Sequence, residues 1–367
     1  MNNDMKQAMK AIIAAEAAKR PFAEPTDIVK LIYQSVFGNA HMINDEKAAF
    51  GRLKKETETL APRDDICHCE SLGASVRINL SADGKVLSDG SLRLLARLFY
   101  LSAKRFPSGY ESADEDKQQE FLDALDIAAG MASEGALPFS AGEFSDYISK
   151  YREMGFPAVS HSDRYREAYR PAYRVVDARL ARIFPLVCMV DELMKNSGRP
   201  FVLAIAGRAA SGKTTAAADI AEFFGDTEIV HMDDFFLPGE MRTKERLSEA
   251  GGNLHRERFS DEVVSHIRGG GFDYRVFDCG TFDYKKEPRH IGECSLIICE
   301  GAYSLHPAFG KYYDLAAFSD ISAEEQHSRI LSRNGEKMLG RFENVWIPME
   351  EEYFLTFGIR GKCDITI

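Results

Sequence analysis

The stretch GRAASGKT, Gly207 to Thr214, matches the spacing G-x-x-x-x-G-K-[ST] without a mismatch. Glycines in such a run let the backbone turn tightly, so successive N–H groups converge on phosphate oxygens. Here the converging amides belong to Gly207, Arg208, Ala209, Ala210, Ser211, Gly212, Lys213, Thr214 and Thr215. An apolar strand, FVLAIA, stops just before Gly207, and a helix opens at Lys213, whose N-terminus adds a partial positive charge. Lys213 supplies a full charge to the outer phosphates, and Thr214 offers a hydroxyl to Mg²⁺. The chemistry this predicts is ATP binding with Mg²⁺ as companion ion; a glycine-rich turn with no ligand is the plain alternative.

Three further clusters decide what happens to the phosphate. In IVHMDDFFLP, Asp233 and Asp234 follow a strand end, about twenty residues after Lys213. A carboxylate there can orient an acceptor hydroxyl, take its proton and help to hold the metal, or it can simply cap a turn. In SLIICEGAYSL an apolar strand ends in Glu300, a placement suited to holding Mg²⁺ opposite Thr214. The stretch AEEQHSRILSRNGEKMLGRF carries Arg329 and Arg333 four residues apart, on one face of a helix, followed by Lys337 and Arg341. Such a basic segment, with Arg333 first, can stabilise a phosphoryl group in flight; as surface charge it would be inert.

In order, GRAASGKTT, HMDDFF, NLHRERF, YRVFDCGTFDY, IICEGAYSL and SRILSRNG resemble the uridine kinase group of P-loop kinases, near phosphoribulokinase and bacterial pantothenate kinase. The terminal CDITI is also similar to that group's last strand. The resemblance covers residues 201 to 367, under half the chain. It implies that Asp233 is the acid that activates the acceptor hydroxyl and that Glu300 is the metal-associated glutamate. It also implies that Phe235, Phe236, Tyr274 and Phe277 fall where that group builds its nucleoside pocket; rings of this kind suit a base or a core equally. Two features depart from the group. His255 and Arg256 stand where uridine kinases have an acid for ribose hydroxyls, and the stretch after FDC lacks their basic and histidine pattern. A cation at His255 or Arg256 would suit an acceptor that already carries phosphate or carboxylate.

The elements that must position these groups alternate. Strand FVLAIA, helix KTTAAADIAEFF, strand EIVHM, helix SDEVVSHI, strands LIICEG and LAAFSD, helix AEEQHSRILSRN and strand CDITI predict an α/β, doubly wound parallel sheet of the P-loop NTPase kind. The polar KNSGRP, Lys195 to Pro200, marks a domain boundary, giving a mainly α-helical domain over 1–195 and a kinase domain over 199–367. In the first domain, DIVKLIYQSVF, LRLLARLFYLSAKRF and QEFLDALDIAAGMA have helical apolar spacing, SVRINL allows a short strand, and Pro171 to Lys195 reads as a long amphipathic helix with a kink at Pro185.

No family is evident in the first domain. Its most unusual stretch, SHSDRYREAYRPAYRVV, repeats Tyr165, Tyr169 and Tyr173 every four residues, with Arg166, Arg170 and Arg174 one position later. Pro171 interrupts any single helix through them. Two readings stay open: an anion clamp with His161 nearby, or tyrosines packed between helices with the arginines paired to acids. Gly38, Asn39 and His41 form a turn between helices, and Arg77 and Asn79 are polar positions on the candidate strand. A regulator site, an action on the kinase's product and an oligomer contact are equally open roles for this domain.

Of the 367 residues, 45% are hydrophobic and 28% charged, the profile of a globular chain with a real core. A net charge of -11 argues against nucleic acid or an anionic membrane as partner, and no apolar run spans a bilayer. Asp4 and Glu16 break the weak apolar patch near the N-terminus, so no secretory signal is expected. Seven scattered cysteines suit reduced thiols in the cytoplasm; Cys67 and Cys69 could ligate a metal, but no second pair stands at a matching distance. These readings predict an ATP- and Mg²⁺-dependent kinase acting on a hydroxyl of a small metabolite, first of all a nucleoside such as uridine. The alternatives are a kinase for a phosphorylated or carboxylated acceptor and a non-catalytic ATP-sensing module; a homo-oligomer is compatible with any of them.

Overall fold

The computed structural model describes residues 1–40, 45–197, 200–278 and 280–367. His41 and part of the KNSGRP stretch therefore lie outside the described residues. The chain divides into two compact units, Met1–Phe184 and Pro185–Ile367.

The first unit is built on helices α1 (Asn3–Lys19), α2 (Pro25–Phe37), α3 (Glu46–Thr57), α4 (Asp89–Ala103), α5 (Glu115–Ser133), α6 (Ala141–Glu153) and α7 (Asp163–Tyr169). Short polar side chains start most of them. Asn2, Asp45, Ser88, Asp114, Ser140 and Ser162 each accept a hydrogen bond from an otherwise unpaired amide of the first turn. The apolar faces of α1, α2, α5 and α6 close over a core that includes Ile13, Ile28, Ile32, Phe37, Phe121 and Phe144. An antiparallel sheet of β1 (Cys69–Ser71), β2 (Ser75–Asn79) and β3 (Tyr173–Asp177) completes this unit, with β2 in the centre.

The third strand corrects the reading of Pro171 to Lys195 as one helix. Tyr173–Asp177 is extended and pairs with Ser75–Asn79, with Tyr173 opposite Asn79 and Val175 opposite Arg77. Only then does a helix begin, α8 (Ala178–Met194), with Pro185 inside it; the division between the units falls within this helix. The apolar run of the strand flows into that of the helix, which hides the change of period. Arg170 ends α7 in a left-handed conformation, φ 44° and ψ 59°.

The second unit is the expected α/β fold. Among the described residues its main sheet has five parallel strands in the order β8–β7–β4–β6–β5: β4 (Phe201–Gly207), β5 (Thr227–His231), β6 (Leu296–Glu300), β7 (Leu315–Ser319) and β8 (Ile365–Thr366). Every residue of the central strand β4 is buried, as a strand covered on both faces must be. Around it run α9 (Lys213–Phe224), α10 (Ala323–Arg341) and α11 (Ile347–Phe357). Register aligns the strand ends: Glu300 lies opposite His231 on one side and Ile205 on the other, while Ser319 lies opposite Gly207. One edge of the sheet thus carries the residues singled out for chemistry, at the carboxyl ends where open α/β sheets take ligands.

Candidate active site

Backbone conformation shapes the cradle first. Gly207 has φ 144°, and a Cβ there would collide with the backbone of Ser319 in the neighbouring strand. Only glycine lets β4 and β7 approach this closely at the turn. Gly212, at φ 94°, then caps α9 without a side-chain bond and leaves the first-turn amides open to a ligand. The loop is braced from outside. Gln326 donates to Ala209 O at 2.9 Å, Ser319 Oγ donates to Ser211 O at 3.2 Å, and Arg329 Nη1 donates to Ala210 O at 3.2 Å.

At the start of α9, Lys213 Nζ donates to Arg208 O at 2.7 Å, and Thr214 Oγ1 donates to Glu300 Oε1 at 3.0 Å. The same Glu300 oxygen meets His231 Nδ1 at 2.6 Å. That hydrogen bond, which outweighs partial burial, raises the His231 imidazole above its ordinary value. Gly301, φ 146°, follows Glu300; a Cβ there would strike the Met232 side chain, so the end of β6 packs tightly against the turn that carries Asp233. The Asp233 carboxyl keeps an accessible surface, yet it sits in a recess of protein atoms. This partial desolvation and the charge of Glu300 push it above the usual carboxylate range, against the pull of Lys213. Oxygen donors of a hydroxyl and a carboxylate, meeting beside a phosphate cradle, are the hard ligands that Mg²⁺ prefers, with phosphate and water completing its shell. Thr214 and Glu300 fit such an ion. Among the described residues no group of three His, Cys, Asp or Glu side chains gathers to hold a metal, Cys67 and Cys69 included.

The remaining candidates are spread more widely. Asp234 accepts from Tyr274 Oη at 2.9 Å. Phe235 and Tyr274 are buried in the unit's core with ring centres 5.1 Å apart; Phe236 is half-buried, and Phe277 is buried against Phe282 and Tyr284. His255 accepts from the Arg258 amide as a helix cap, and Arg256 pairs with Glu249 at 2.6 Å and Glu257 at 3.4 Å. Both are engaged within the protein. Arg333 is exposed on α10, and its Nε donates to Asn334 Oδ1 at 2.8 Å, so Arg329 is the α10 arginine that touches the cradle. Gly335, φ 75°, breaks the helix just beyond them. Arg341 lies over the Trp346 ring.

Two side chains at this edge escaped the sequence reading. His231 stood in plain view two residues before Asp233. Glu350 did not: it sits on α11, 141 residues from the amide it meets, and its Oε2 accepts from the Ala209 N–H of the cradle at 2.8 Å. Burial pushes its carboxyl up to about 7, with Asp233 and Glu351 adding to the effect and Lys213 opposing it. Beside it, Glu351 pairs with Arg208 at 2.7 Å. Nothing in PMEEEYF separates these acids from an ordinary solvated helix face.

No family model matches the chain. Among curated proteins it is 24% identical over 183 residues to uridine-cytidine kinase B of Dictyostelium discoideum, covering 46% of this chain and 74% of that one. It is 27% identical over 176 residues to a uridine kinase of Geobacillus sp., covering 42% and 80%. It is 24% identical over 218 residues to a pantothenate kinase of Rhizobium johnstonii, covering 52% of this chain and 64% of that enzyme. A solved structure of a possible uridine kinase from Bacillus stearothermophilus aligns with 50% of this chain and 99% of its own at 18% identity, but its TM-score of 0.38 is too low to bear on the fold. The likeness in sequence to two kinds of small-metabolite kinase meets a phosphate cradle standing at the edge of a parallel sheet. For part of its length, this chain is similar to uridine kinase-like P-loop kinases.

Proposed function

We propose that residues 199–367 transfer the γ-phosphate of ATP to a hydroxyl of a small, uncharged metabolite, with a nucleoside such as uridine as the first candidate. The observation that carries this reading is the Thr214–Glu300 hydrogen bond at the start of the helix that follows the Gly207–Thr215 loop, with Asp233 within electrostatic reach of both Glu300 and Lys213. The loop amides and Lys213 would grip the triphosphate, and Thr214 and Glu300 would hold Mg²⁺ beside it. When bound, the ion would supply charge neutralisation of the phosphoryl group. Asp233 receives the proton of the acceptor hydroxyl; its carboxyl, raised above the usual range by desolvation and by the charge of Glu300, is a stronger base than an ordinary aspartate. Arg329 and, once the segment beyond Gly335 closes, Arg333 would face the moving charge.

An uncharged acceptor is favoured by the charge around the site. Asp233, Asp234, Glu300 and Glu350 are acidic, whereas Arg256 is already paired and His255 is a cap. The pantothenate kinase likeness supports a second reading, a carboxylated acceptor, in which Arg256 would leave Glu249 to meet it. A cytoplasmic setting goes with the use of ATP, and no helix among the described residues is long and apolar enough to cross a membrane.

The test is ADP release by the purified protein with ATP, Mg²⁺ and a panel of nucleosides, pantothenate and sugar phosphates. A nucleoside should accelerate release most strongly. Acceleration by pantothenate alone would move the assignment to the second reading. If no acceptor raises ATP consumption while ATP still binds, the kinase reading fails.

A further inference from the structure

The repeat of tyrosines and arginines in SHSDRYREAYRPAYRVV has no part in the kinase unit. In the first unit it joins two distant segments around a recess of about 230 Å³. Tyr165, Tyr169 and Tyr173 line it from the repeat; Asn79 lines it from β2, the strand neighbour of Tyr173. Lys19 and Arg20 reach it from the end of α1.

The rings are held from behind. Tyr165 Oη donates to Glu16 at 2.9 Å, Tyr173 Oη meets His161 Nε2 at 2.7 Å, and His161 Nδ1 meets Asp27 at 2.8 Å. Tyr169 Oη accepts from the Phe22 amide at 2.8 Å. With the Tyr165 and Tyr173 hydroxyls engaged within the protein, what those rings have to offer a ligand is flat carbon surface, while Tyr169 keeps its O–H to donate. Deeper still, the fully buried Arg77 pairs with Glu16 at 2.8 Å and lies over the Tyr173 ring. Buried ion pairs of this kind stabilise a fold poorly compared with an apolar core, but they hold groups in fixed places, as a binding site requires.

The charge at the recess opposes that of the whole chain. Lys19, Arg20, Arg63 and Arg170 face only Asp65 and Glu70, in a protein whose net charge is -11. Two of the four cations are committed: Arg20 lies between Glu16 at 2.8 Å and Glu70 at 3.0 Å, and Arg63 is forked onto Asp65 at 3.0 and 2.6 Å. Lys19 is exposed and stands 3.7 Å from Glu70. The Arg170 guanidinium has no partner among the described residues, and its backbone is left-handed, φ 44°, a conformation that favours glycine. A strained residue that keeps a long cation at the rim of a recess is what a ligand clamp looks like.

We propose that this recess binds a small metabolite bearing a phosphate or carboxylate group, its anion on Arg170 and Lys19 and its body against the tyrosine rings. This site is separate from the ATP cradle and does not depend on the kinase reading. The test uses the full chain carrying Lys213→Ala, which weakens phosphate binding at the cradle. Isothermal titration with inorganic phosphate, phenyl phosphate and benzoate then distinguishes a phosphate from a carboxylate ligand and measures the gain from a flat body. At least one of the two aromatic probes should saturate a single site near or below roughly 1 mM. Adding Arg170→Gly, which suits the left-handed backbone, should weaken it about tenfold or more, while Arg170→Lys retains most of the affinity. If Arg170→Gly lowers the melting temperature, the exposed Lys19→Met variant decides on the same criterion. Absence of saturation by all three probes, or saturation that neither Arg170→Gly nor Lys19→Met weakens, would overturn the proposal.

Discussion

Thr214 and Glu300 meet across the carboxyl edge of the sheet, hydroxyl to carboxylate at 3.0 Å, although 86 residues separate them in sequence. Parallel register brings them together: Glu300 ends the strand beside the one that runs into the cradle. In the proposed function the pair would hold the metal ion that assists transfer. Glu300→Gln keeps the shape and can still accept from Thr214, but it loses the charge. We expect the Mg²⁺ concentration needed for half-maximal ADP release to rise about tenfold or more, with the melting temperature nearly unchanged. An unaltered Mg²⁺ requirement would remove Glu300 from the metal site.

Asp233→Asn should abolish the proton acceptor while leaving the cradle intact. Steady-state kinetics are expected to show a loss of about 10²- to 10⁴-fold in kcat with little change in the KM for ATP. A change confined to KM would make Asp233 a binding residue instead.

Glu350 places a carboxylate on the Ala209 amide of the loop, close to where the proposed triphosphate would lie. Above about pH 7 that carboxyl is ionised and opposes the triphosphate; below it, the proton removes the opposition. Glu350→Gln should therefore lower the KM for ATP about fivefold at pH 8, the effect of one like charge of ~1 kcal/mol at ~4 Å in a water-like medium. At pH 6 the variant and the parent should converge. A pH-independent difference would show that Glu350 acts by shape alone.

His161 is buried neutral between Asp27 and Tyr173, and burial lowers its imidazole to about 4 from the ordinary 6.5. Its folded-state pKa lies below its unfolded one, so acid protonates the unfolded chain first. Its contribution to stability is complete above pH 6.5 and is lost as pH falls toward 4. Glu16 and Asp27 add losses of the same sign at lower pH, since both have lowered values in the folded chain: burial works to raise Glu16, but Arg77 and Arg20 outweigh it, and hydrogen bonds from His161 and from the Glu24 and Ser162 amides do the same for Asp27. Thermal unfolding from pH 7.5 to 4.5 should show the parent's melting temperature falling, and His161→Gln should flatten the upper part of that decline even if it lowers the plateau. Parallel curves would contradict this role.

Much of the second unit was legible because its chemistry is tied to short local patterns. The apolar runs of β4 and β6 end where Gly207 and Glu300 stand, and strand ends in a parallel sheet share one edge. What stayed hidden depended on contacts between distant segments. Glu350 lies in an acidic run that reads as solvated helix until α11 folds onto Ala209. Arg256 looked like a free cation until Glu249 came within 2.6 Å. Phe235 and Tyr274 offered rings for a base, but burial makes them part of the core around the site. In the first unit, Tyr173–Asp177 reads as the start of a helix because its apolar residues run on into α8, whereas pairing with Ser75–Asn79 decides it. Arg77 and Glu16, 61 residues apart, carry no mutual signal in the sequence at all.

Transfer of radiolabel from [γ-³²P]ATP to uridine and other nucleosides, followed in parallel for the parent chain and Asp233→Asn, reaches the core of this account. The expected result is a labelled, phosphorylated nucleoside that forms only with Mg²⁺ and falls at least about a hundredfold in the variant. Label appearing solely as inorganic phosphate, at one rate with or without a nucleoside and unchanged by Asp233→Asn, would contradict it.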